Sequence, residues 1–286
     1  MTAEAAAAAR PVPVASPLLS VLVPSFNSAA LLPGLLESLA AQTWRGFELV
    51  LSDGGSNDGT LALVQAAAAS LPAVQVDSRP DSGVYDAINR GWARCRGDWV
   101  LVLGSDDRLH ASDTLARAAD ALQHSAAALV YGDVRMMAAN TNGVPAGGRY
   151  AGPLALEGLV TSNICQQSIF YRRGLHAELG GFDLRYKLHA DWDFNLRAAF
   201  RHPLQWIDLV VADYAATGMS AQRDDLAFSA AAPEWLRAEL WRQRTNPALR
   251  PLRRRLLRQA DALRRRGDWG GALRQVGTWL RLRLGI

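Results

Sequence analysis

The feature that most restricts the fold is an alternation of short apolar runs with helical patterns through the first hundred residues. The runs are continuously apolar, as in strands of a parallel sheet that is covered on both faces. Each run leads through a polar loop into a helix. The predicted strands cover residues 18–23, 47–51, 74–76 and 99–102, and the predicted helices cover residues 29–42, 60–69 and 84–94. This pattern predicts an α/β fold with a mostly parallel central sheet, right-handed crossovers and flanking helices.

The loops after these strands carry acidic residues. Asp53 follows the second predicted strand, Asp81 the third, and the pair Asp106-Asp107 the fourth. Because parallel strands end at one edge of a sheet, where such folds bind ligands, we expect these carboxylates to converge. Two adjacent carboxylates are costly unless they are solvated, paired or bound to a cation, and a hard divalent cation is the usual partner near phosphate. The alternative is that Asp106 or Asp107 caps the next helix.

Three of these loop and helix residues are candidate nucleotide ligands. Asp53 precedes two glycines that allow close backbone approach, and its carboxylate can accept hydrogen bonds from a base or ribose. Asp81 contacts a nucleotide or is an ordinary turn carboxylate, and Asn89 reaches across the site or is a polar group facing the core. Neither G-x-G-x-x-G nor a G-K-S/T loop occurs, which argues against a dinucleotide fingerprint and a P-loop.

A second acidic cluster, Asp191-Trp192-Asp193, opens a predicted helix over residues 191–200. The helix dipole favours an ionised carboxylate at this position. Asp191 is therefore a candidate general base, with an N-cap as the alternative. His189 and Lys187 are the rival base and phosphate partner.

Charge divides the chain into three predicted parts. Residues 1–17 are rich in alanine and proline and predict a disordered lead without the pattern of a signal peptide. Residues 18–232 form the predicted catalytic domain. Residues 233–286 contain 14 arginines and 4 acidic residues, a net charge of +10. Because the whole chain carries +4, the rest of it carries about −6. This composition predicts a basic helical extension with an anionic partner.

We expect that partner to be an anionic membrane surface, because leucine and tryptophan recur at helical spacing between the arginines. The alternative is a helical appendage packed on the catalytic domain. No base-reading motif accompanies the arginines, so we expect no nucleic-acid partner. Two cysteines without metal or disulfide spacing, and no apolar run of membrane-spanning length, favour a cytoplasmic protein that is peripheral on the inner face of the cytoplasmic membrane.

Several motifs together resemble the family 2 glycosyltransferases of bacterial polysaccharide and O-antigen assembly. The resemblance covers residues 18–220 and rests on the order and spacing of the motifs. They are Val23-Pro24-Ser25-Phe26-Asn27, Ser52-Asp53-Gly54-Gly55-Ser56, Asp81-Ser82-Gly83-Val84-Tyr85, Gly104-Ser105-Asp106-Asp107 and Ala190-Asp191-Trp192-Asp193-Phe194.

The resemblance implies a GT-A (Rossmann-like) fold and inverting transfer from a nucleotide-diphosphate sugar, with a UDP-sugar as the expected donor. It implies that Asp53 binds the base and Asp106 faces the ribose. Asp107 holds Mg²⁺ or Mn²⁺ on the diphosphate, and Asp191 is the catalytic base. Pro24 and Ser25 line the nucleotide pocket. The expected acceptor is a saccharide or a lipid-linked molecule in cell-surface polysaccharide synthesis.

Two other functions remain open on the sequence. A nucleotidyltransferase shares a similar early sheet and acid pair, but it favours a lysine- and glycine-rich loop after the first strand, which is absent here. A non-catalytic scaffold that binds sugar nucleotides is the other, although the presence of both Asp107 and Asp191 argues against it.

Overall fold

A computed structural model describes residues 17–138, 144–160, 162–215, 225–243 and 245–251, together with residues 254, 258, 261, 265 and 267. The predicted lead over residues 1–17 lies outside the described residues except for its last position. Most of the predicted basic extension also lies outside them. The described part confirms the α/β class.

The amino-terminal half follows the predicted alternation closely. Its elements are β1 (Leu19–Ser25), α1 (Leu32–Ala40), β2 (Phe47–Asp53), α2 (Thr60–Ala67), β3 (Val74–Ser78), α3 (Val84–Trp92) and β4 (Trp99–Val102). The four strands pair in the order β3-β2-β1-β4, and every pairing is parallel. The loops that follow β1, β2, β3 and β4 therefore lie on one edge of the sheet.

Burial on both faces explains the continuous apolar runs. Alternate residues of β1 and β2 belong to different core clusters, with Leu22 and Val50 in one cluster and Val21 and Leu49 in the other. All four side chains are fully buried. Helix α3 packs on the first face, whereas α1, α2 and α4 (Thr114–Gln123) pack on the second. A strand with apolar residues at every position is stable only when both of its faces are covered.

The second half of the chain adds strands that pair both parallel and antiparallel. After α4 it contains β6 (Leu129–Met136), α5 (Leu156–Leu159), β8 (Ile169–Arg172), α6 (Leu175–Leu179), α7 (Ala190–Ala199), β9 (Leu204–Tyr214) and α8 (Leu226–Arg242). Two short strands, β5 (Arg108–Leu109) and β7 (Arg149–Tyr150), complete the described sheet. Its order continues as β4-β8-β6-β9-β5, with β7 against β6.

Strand β8 is antiparallel to both of its neighbours, β4 and β6. It therefore begins at the edge where β4 ends. The residues that enter β8 arrive beside the loops of the parallel strands, which a purely parallel sheet would not allow. A run of apolar residues does not specify the direction of a strand, so the sequence pattern could not predict this reversal.

Helix α8 changes the predicted division of the chain. The expected boundary between residues 232 and 233 falls inside this helix, which runs without interruption from Leu226 to Arg242. Phe228 is buried in the core, Trp235 packs edge-on against Phe200 at 5.8 Å between ring centroids, and Leu249 is fully buried beyond the helix. The beginning of the predicted extension is thus part of the globular domain, because its apolar residues pack on the first face of the sheet. None of the described helices is long and apolar enough to cross a membrane.

Candidate active site

The acid pair converges above Gly104, in the loop after β4. A Cβ atom at Gly104 would lie 2.8 Å from Asp106 Oδ1 and 3.0 Å from Asp107 Oδ2. The Gly104 amide also donates a 2.7 Å hydrogen bond to Asp107 Oδ2. The absence of a side chain at Gly104 therefore allows the two carboxylates to lie close together at the edge of the sheet.

The electrostatics of this pair favour a bound cation. Burial and the neighbouring Asp106 charge raise the pKa of Asp107 to about 8, although hydrogen bonds from Gly104 and from the Gln167 side chain oppose the shift. Asp107 is 1% exposed. A hard divalent cation would relieve this repulsion, and carboxylate oxygens are its preferred ligands. The described residues contain no group of three or more His, Cys, Asp and Glu placed to hold a metal.

The end of β1 faces this loop. The Pro24 carbonyl accepts a hydrogen bond from Ser105 Oγ at 3.3 Å, and the Ser25 carbonyl accepts one from the Gly54 amide at 2.7 Å. Within the described residues, the Ser25 hydroxyl is buried and has no hydrogen-bond partner. A buried polar group without a partner is unfavourable, so a ligand oxygen or nitrogen beside Ser25 would remove that cost.

The Asp53 carboxylate is hydrogen-bonded to its own loop and to the end of β3. Its carboxylate accepts hydrogen bonds from the Gly55 and Ser56 amides at 3.0 and 2.8 Å and from Ser78 Oγ at 2.6 Å. Burial alone would raise its pKa, but the bonds from Ser56 and Ser78 outweigh burial and lower it. Asp53 is fully buried. These contacts show a carboxylate that shapes the loop after β2, and they do not show an oxygen presented to a nucleotide base.

Asp81 and Phe26 border the same glycine. The Cβ position at Gly54 is 2.7 Å from Asp81 Oδ2 and 3.2 Å from Phe26 Cδ2. Arg90 Nη2 lies 3.7 Å from Asp81 Oδ2, and the Arg90 guanidinium donates to the backbone carbonyls of Arg79 and Asp53. Phe26 is 63% exposed, which is unusual for a ring of this size. No role was predicted for Phe26 from the sequence, although an aromatic residue directly after a strand end was the available signal.

Asn89 holds a distant turn. Its Nδ2 donates to the Phe182 carbonyl and its Oδ1 accepts from the Phe182 amide, both at 2.9 Å. His176 Nε2 lies 2.8 Å from the same Oδ1. The predicted contact of Asn89 with a nucleotide finds no support in these bonds, because the amide is already paired with backbone.

Asp191 lies in the first turn of α7 and is partly buried. Tyr85 Oη is 3.0 Å from its Oδ1, and Asn163 Nδ2 donates to its Oδ2 at 2.8 Å. Burial raises the pKa of Asp191, while the hydrogen bonds from Tyr85 and Asn163 and the nearby His189 oppose the shift. A carboxylate with a raised pKa at a helix start is suited to take a proton at neutral pH.

One segment joins the acid pair to Asp191. Asn163 contacts Asp191, and Gln167, four residues later, contacts Asp107. Burial and then the charges of Asp107 and Asp191 raise the pKa of Cys165, so the thiol lies within the electrostatic field of both acids. These residues enter β8, and its antiparallel direction brings them to the edge. The sheet thereby unites Asp106, Asp107 and Asp191 in one site.

Comparison with known proteins identifies the family. The model described as glycosyl transferase family 2 matches residues 20–180 of the chain. The chain belongs to glycosyltransferase family 2. It is therefore a glycosyltransferase, as the motifs predicted. The match includes the acid pair and the segment entering β8, whereas Asp191 lies beyond it.

Relatives of this family 2 glycosyltransferase occur in mycobacteria. The PGL/p-HBAD biosynthesis glycosyltransferase of Mycobacterium tuberculosis (strain H37Ra) is 45% identical over 207 residues, which are 70% of this chain and 78% of the relative. The protein of the same name from Mycobacterium bovis BCG matches equally. An uncharacterized glycosyltransferase of M. tuberculosis (strain H37Rv) is 31% identical over 220 residues, 74% of this chain and 80% of the relative.

Solved structures share the GT-A fold. TarS 1–349 from S. aureus, in complex with UDP-GlcNAc, superposes with a TM-score of 0.59 and 21% identity over 92% of this chain and 81% of that chain. Against a longer TarS chain, the match covers 43% of that chain. The mannosyltransferase PcManGT from Pyrobaculum calidifontis, in complex with GDP-Man and Mn²⁺, has a TM-score of 0.53 and 20% identity over 85% of this chain and 70% of that chain.

Proposed function

We propose that this glycosyltransferase transfers a sugar, with inversion, from a nucleotide-diphosphate sugar to a saccharide or lipid-linked acceptor in the synthesis of a cell-surface glycan or glycolipid. The observation that carries the proposal is the position of a partly buried Asp191 and of the acid pair, with its buried Asp107, at the two ends of one short segment, residues 163–167. Two chemical tasks are thus a few residues apart: holding an anionic leaving group and removing a proton. The names of the mycobacterial relatives support a glycolipid product.

The donor side consists of the loops after β1, β3 and β4. Asp107, with Asp106 beside it, would hold Mg²⁺ or Mn²⁺, and a bound divalent cation neutralises the charge that develops on the departing diphosphate. The Ser25 hydroxyl and the Pro24 backbone line the pocket, and Asp81 accepts hydrogen bonds from the base. We assign Asp53 and Asn89 to positioning: Asp53 shapes the loop after β2, and Asn89 holds the turn at Phe182. A UDP-sugar is the expected donor, and the complex of TarS with UDP-GlcNAc supports it.

The acceptor side consists of Asp191 and its neighbours. Asp191 takes the proton of the acceptor hydroxyl, and the oxygen attacks the anomeric carbon from the face opposite the diphosphate. The bond to the diphosphate breaks in the same displacement, so the configuration inverts without a covalent enzyme intermediate. This assignment needs an ionised carboxylate, which the hydrogen bonds from Tyr85 and Asn163 favour.

The basic residues beyond the globular domain suit contact with an anionic inner membrane surface, where a lipid-linked acceptor would be reached. Residues 252–286 contain ten arginines and two acidic residues. Most of this stretch lies outside the described residues, so the proposal rests on its composition.

Binding measurements separate the two sides of the site. We expect calorimetry with UDP, GDP and dTDP to show one nucleoside diphosphate that binds only with Mn²⁺ present. Asp107→Asn should abolish that dependence, whereas Asp191→Asn should bind as tightly as wild type but lose sugar transfer. If no diphosphate binds under either condition, the donor assignment is wrong. Normal turnover by Asp191→Asn would show that Asp191 is not the general base.

A further inference from the structure

The two groups that contact the Asp191 carboxylate differ in what they can do. Tyr85 Oη has one hydrogen but two acceptors, the Leu188 carbonyl at 2.8 Å and Asp191 Oδ1 at 3.0 Å. Its hydroxyl can turn toward either of them, and it can also accept a hydrogen bond from a protonated carboxyl. Asn163 meets Asp191 Oδ2 through Nδ2, which only donates. Asn163 thus favours the ionised carboxylate specifically.

The orientation of the Asn163 amide follows from its other partners. Its Oδ1 accepts hydrogen bonds from the Ile164 backbone amide and from Asn195 Nδ2, each at 3.0 Å. A backbone N–H can only donate, so the atom that faces it must be the amide oxygen. The nitrogen must then face the carboxylate. An amide turned the other way would place two oxygens against each other at Asp191.

Asn195 extends this set of hydrogen bonds into the core. The Tyr171 hydroxyl donates to Asn195 Oδ1 at 2.9 Å, and both residues are fully buried. The result is a chain of hydrogen bonds from Tyr171 through Asn195 and Asn163 to Asp191, in which every member donates toward the carboxylate. Such buried chains fix the geometry of their members when all groups are satisfied.

We propose that Asn163 is a positioning residue for the catalytic base, with its amide oriented by the Ile164 N–H so that a donor always faces Asp191. Asn195 and Tyr171 hold this amide in place from the core. The inference rests on the proposed role of Asp191 for its catalytic meaning. It goes beyond that role because it identifies three residues on α7, β8 and the segment entering β8 that act on the protonation of the base.

Several titratable side chains surround Asp191, whereas Asn163 has no titratable group. Tyr85 contacts the carboxylate directly, and the charge of Asp191 also acts on Tyr171 and Cys165. His189 is the nearby group that carries positive charge when protonated. Asn163 is neutral, so replacing it changes a hydrogen bond and leaves the formal charge of the site unchanged.

The test measures the titration of Asp191 itself. We expect ¹³C NMR of protein labelled at the aspartate side-chain carboxyl, with the Asp191 signal assigned by its loss in Asp191→Asn, to give a midpoint in Asn163→Leu that is higher by about one pH unit. Tyr171→Phe, which removes one hydroxyl and nearly preserves side-chain volume, should raise the midpoint by less. Tyr131→Phe is the matched control, because the Tyr131 hydroxyl is bonded to Leu154 and should leave the midpoint unchanged.

Kinetics give the second measurement. The nucleotide sugar found to bind is used with water or an octyl glycoside as acceptor, and kcat is measured against pH. The acid limb should move upward in Asn163→Leu, with roughly tenfold lower kcat below the midpoint and an unchanged diphosphate Kd. A loss of kcat that is equal at every pH would indicate a merely structural role and overturn the proposal.

The outcomes distinguish this inference from the proposed function. If Asp191→Asn abolishes transfer but neither Asn163→Leu nor Tyr171→Phe shifts the midpoint, the inference is wrong and the base assignment stands. If the midpoints shift but Asp191→Asn retains full turnover, the base assignment is wrong and only the electrostatic part of the inference survives. If Asn163→Leu does not fold, the Tyr171→Phe midpoint decides, and an unchanged value overturns the inference.

Discussion

Replacing Gly104 with alanine should weaken the metal-dependent binding of a nucleotide. The new Cβ would lie 2.8 Å from Asp106 Oδ1 and 3.0 Å from Asp107 Oδ2, so both carboxylates must move by several tenths of an ångström. Displacements of about 1 Å in a catalytic site typically cost about a hundredfold in rate. We therefore expect the affinity for a nucleoside diphosphate with Mn²⁺ to fall about tenfold, or about 1.4 kcal/mol.

Gly174 supplies the matched control. A Cβ added there meets no atom within 4 Å, and the backbone of Gly174 is in the right-handed helical region, with φ of −62°. Gly174→Ala should therefore bind the diphosphate as tightly as wild type. The assay is isothermal titration with and without Mn²⁺, accompanied by thermal unfolding to show that both variants are folded. Wild-type Mn²⁺-dependent affinity in Gly104→Ala would refute the argument that the spacing of the acid pair controls metal binding.

Three further predictions concern the base, the nucleotide pocket and the basic extension. Because the pKa of Asp191 is raised and a base must be ionised, kcat should fall as the pH drops through that pKa, with the fall starting above the ordinary range for aspartate; a kcat that stays level down to pH 4 would contradict it. Phe26→Ala should weaken diphosphate binding by about 1–3 kcal/mol if the ring stacks on the base, whereas Leu31→Ala, also exposed, should bind normally in the same titration. A chain ending at residue 251, which keeps the buried Leu249, should sediment less with vesicles containing anionic lipid and bind the diphosphate as before; equal sedimentation would argue against the membrane role.

The first half of the fold could be predicted because each strand and helix is recognisable from the pattern of its own residues. Each parallel strand is buried on both faces, and each is followed by a helix whose apolar face has a regular period. Strand β4 begins and ends where the pattern placed it, at Trp99 and Val102. Strands β1 and β2 extend two residues beyond the apolar run, because they end in polar residues, Ser25 and Asp53, that the apolar pattern does not include.

The second half could not be predicted to the same extent, because its pairings are set by distant partners. β5 and β7 have two residues each and form only against β9 and β6. β6 pairs with β9 up to Met136 through an irregular register near Asp133. Apolar periodicity carries no signal for such pairings.

The residues of the candidate site also divide into those visible in the sequence and those whose contacts depend on distant parts of the chain. The acidic residues were visible as carboxylates after strands and at a helix start. Asn163 and Gln167 were not assigned a role, because their contacts depend on the reversed direction of β8. Tyr85 was not assigned one, because its contact with Asp191 joins α3 to α7, which are distant in sequence. For Asn89 the sequence left open a contact across the site or a polar group facing the core, and its amide hydrogen-bonds the backbone of Phe182.

The reversed strand also determines how this enzyme can diversify. Residues 163–167 are fixed to the sheet where they enter β8. They contact Asp107 through Gln167 and Asp191 through Asn163. Exchange of this one stretch between relatives would therefore change the surroundings of both acids together, which makes it a compact unit for grafting.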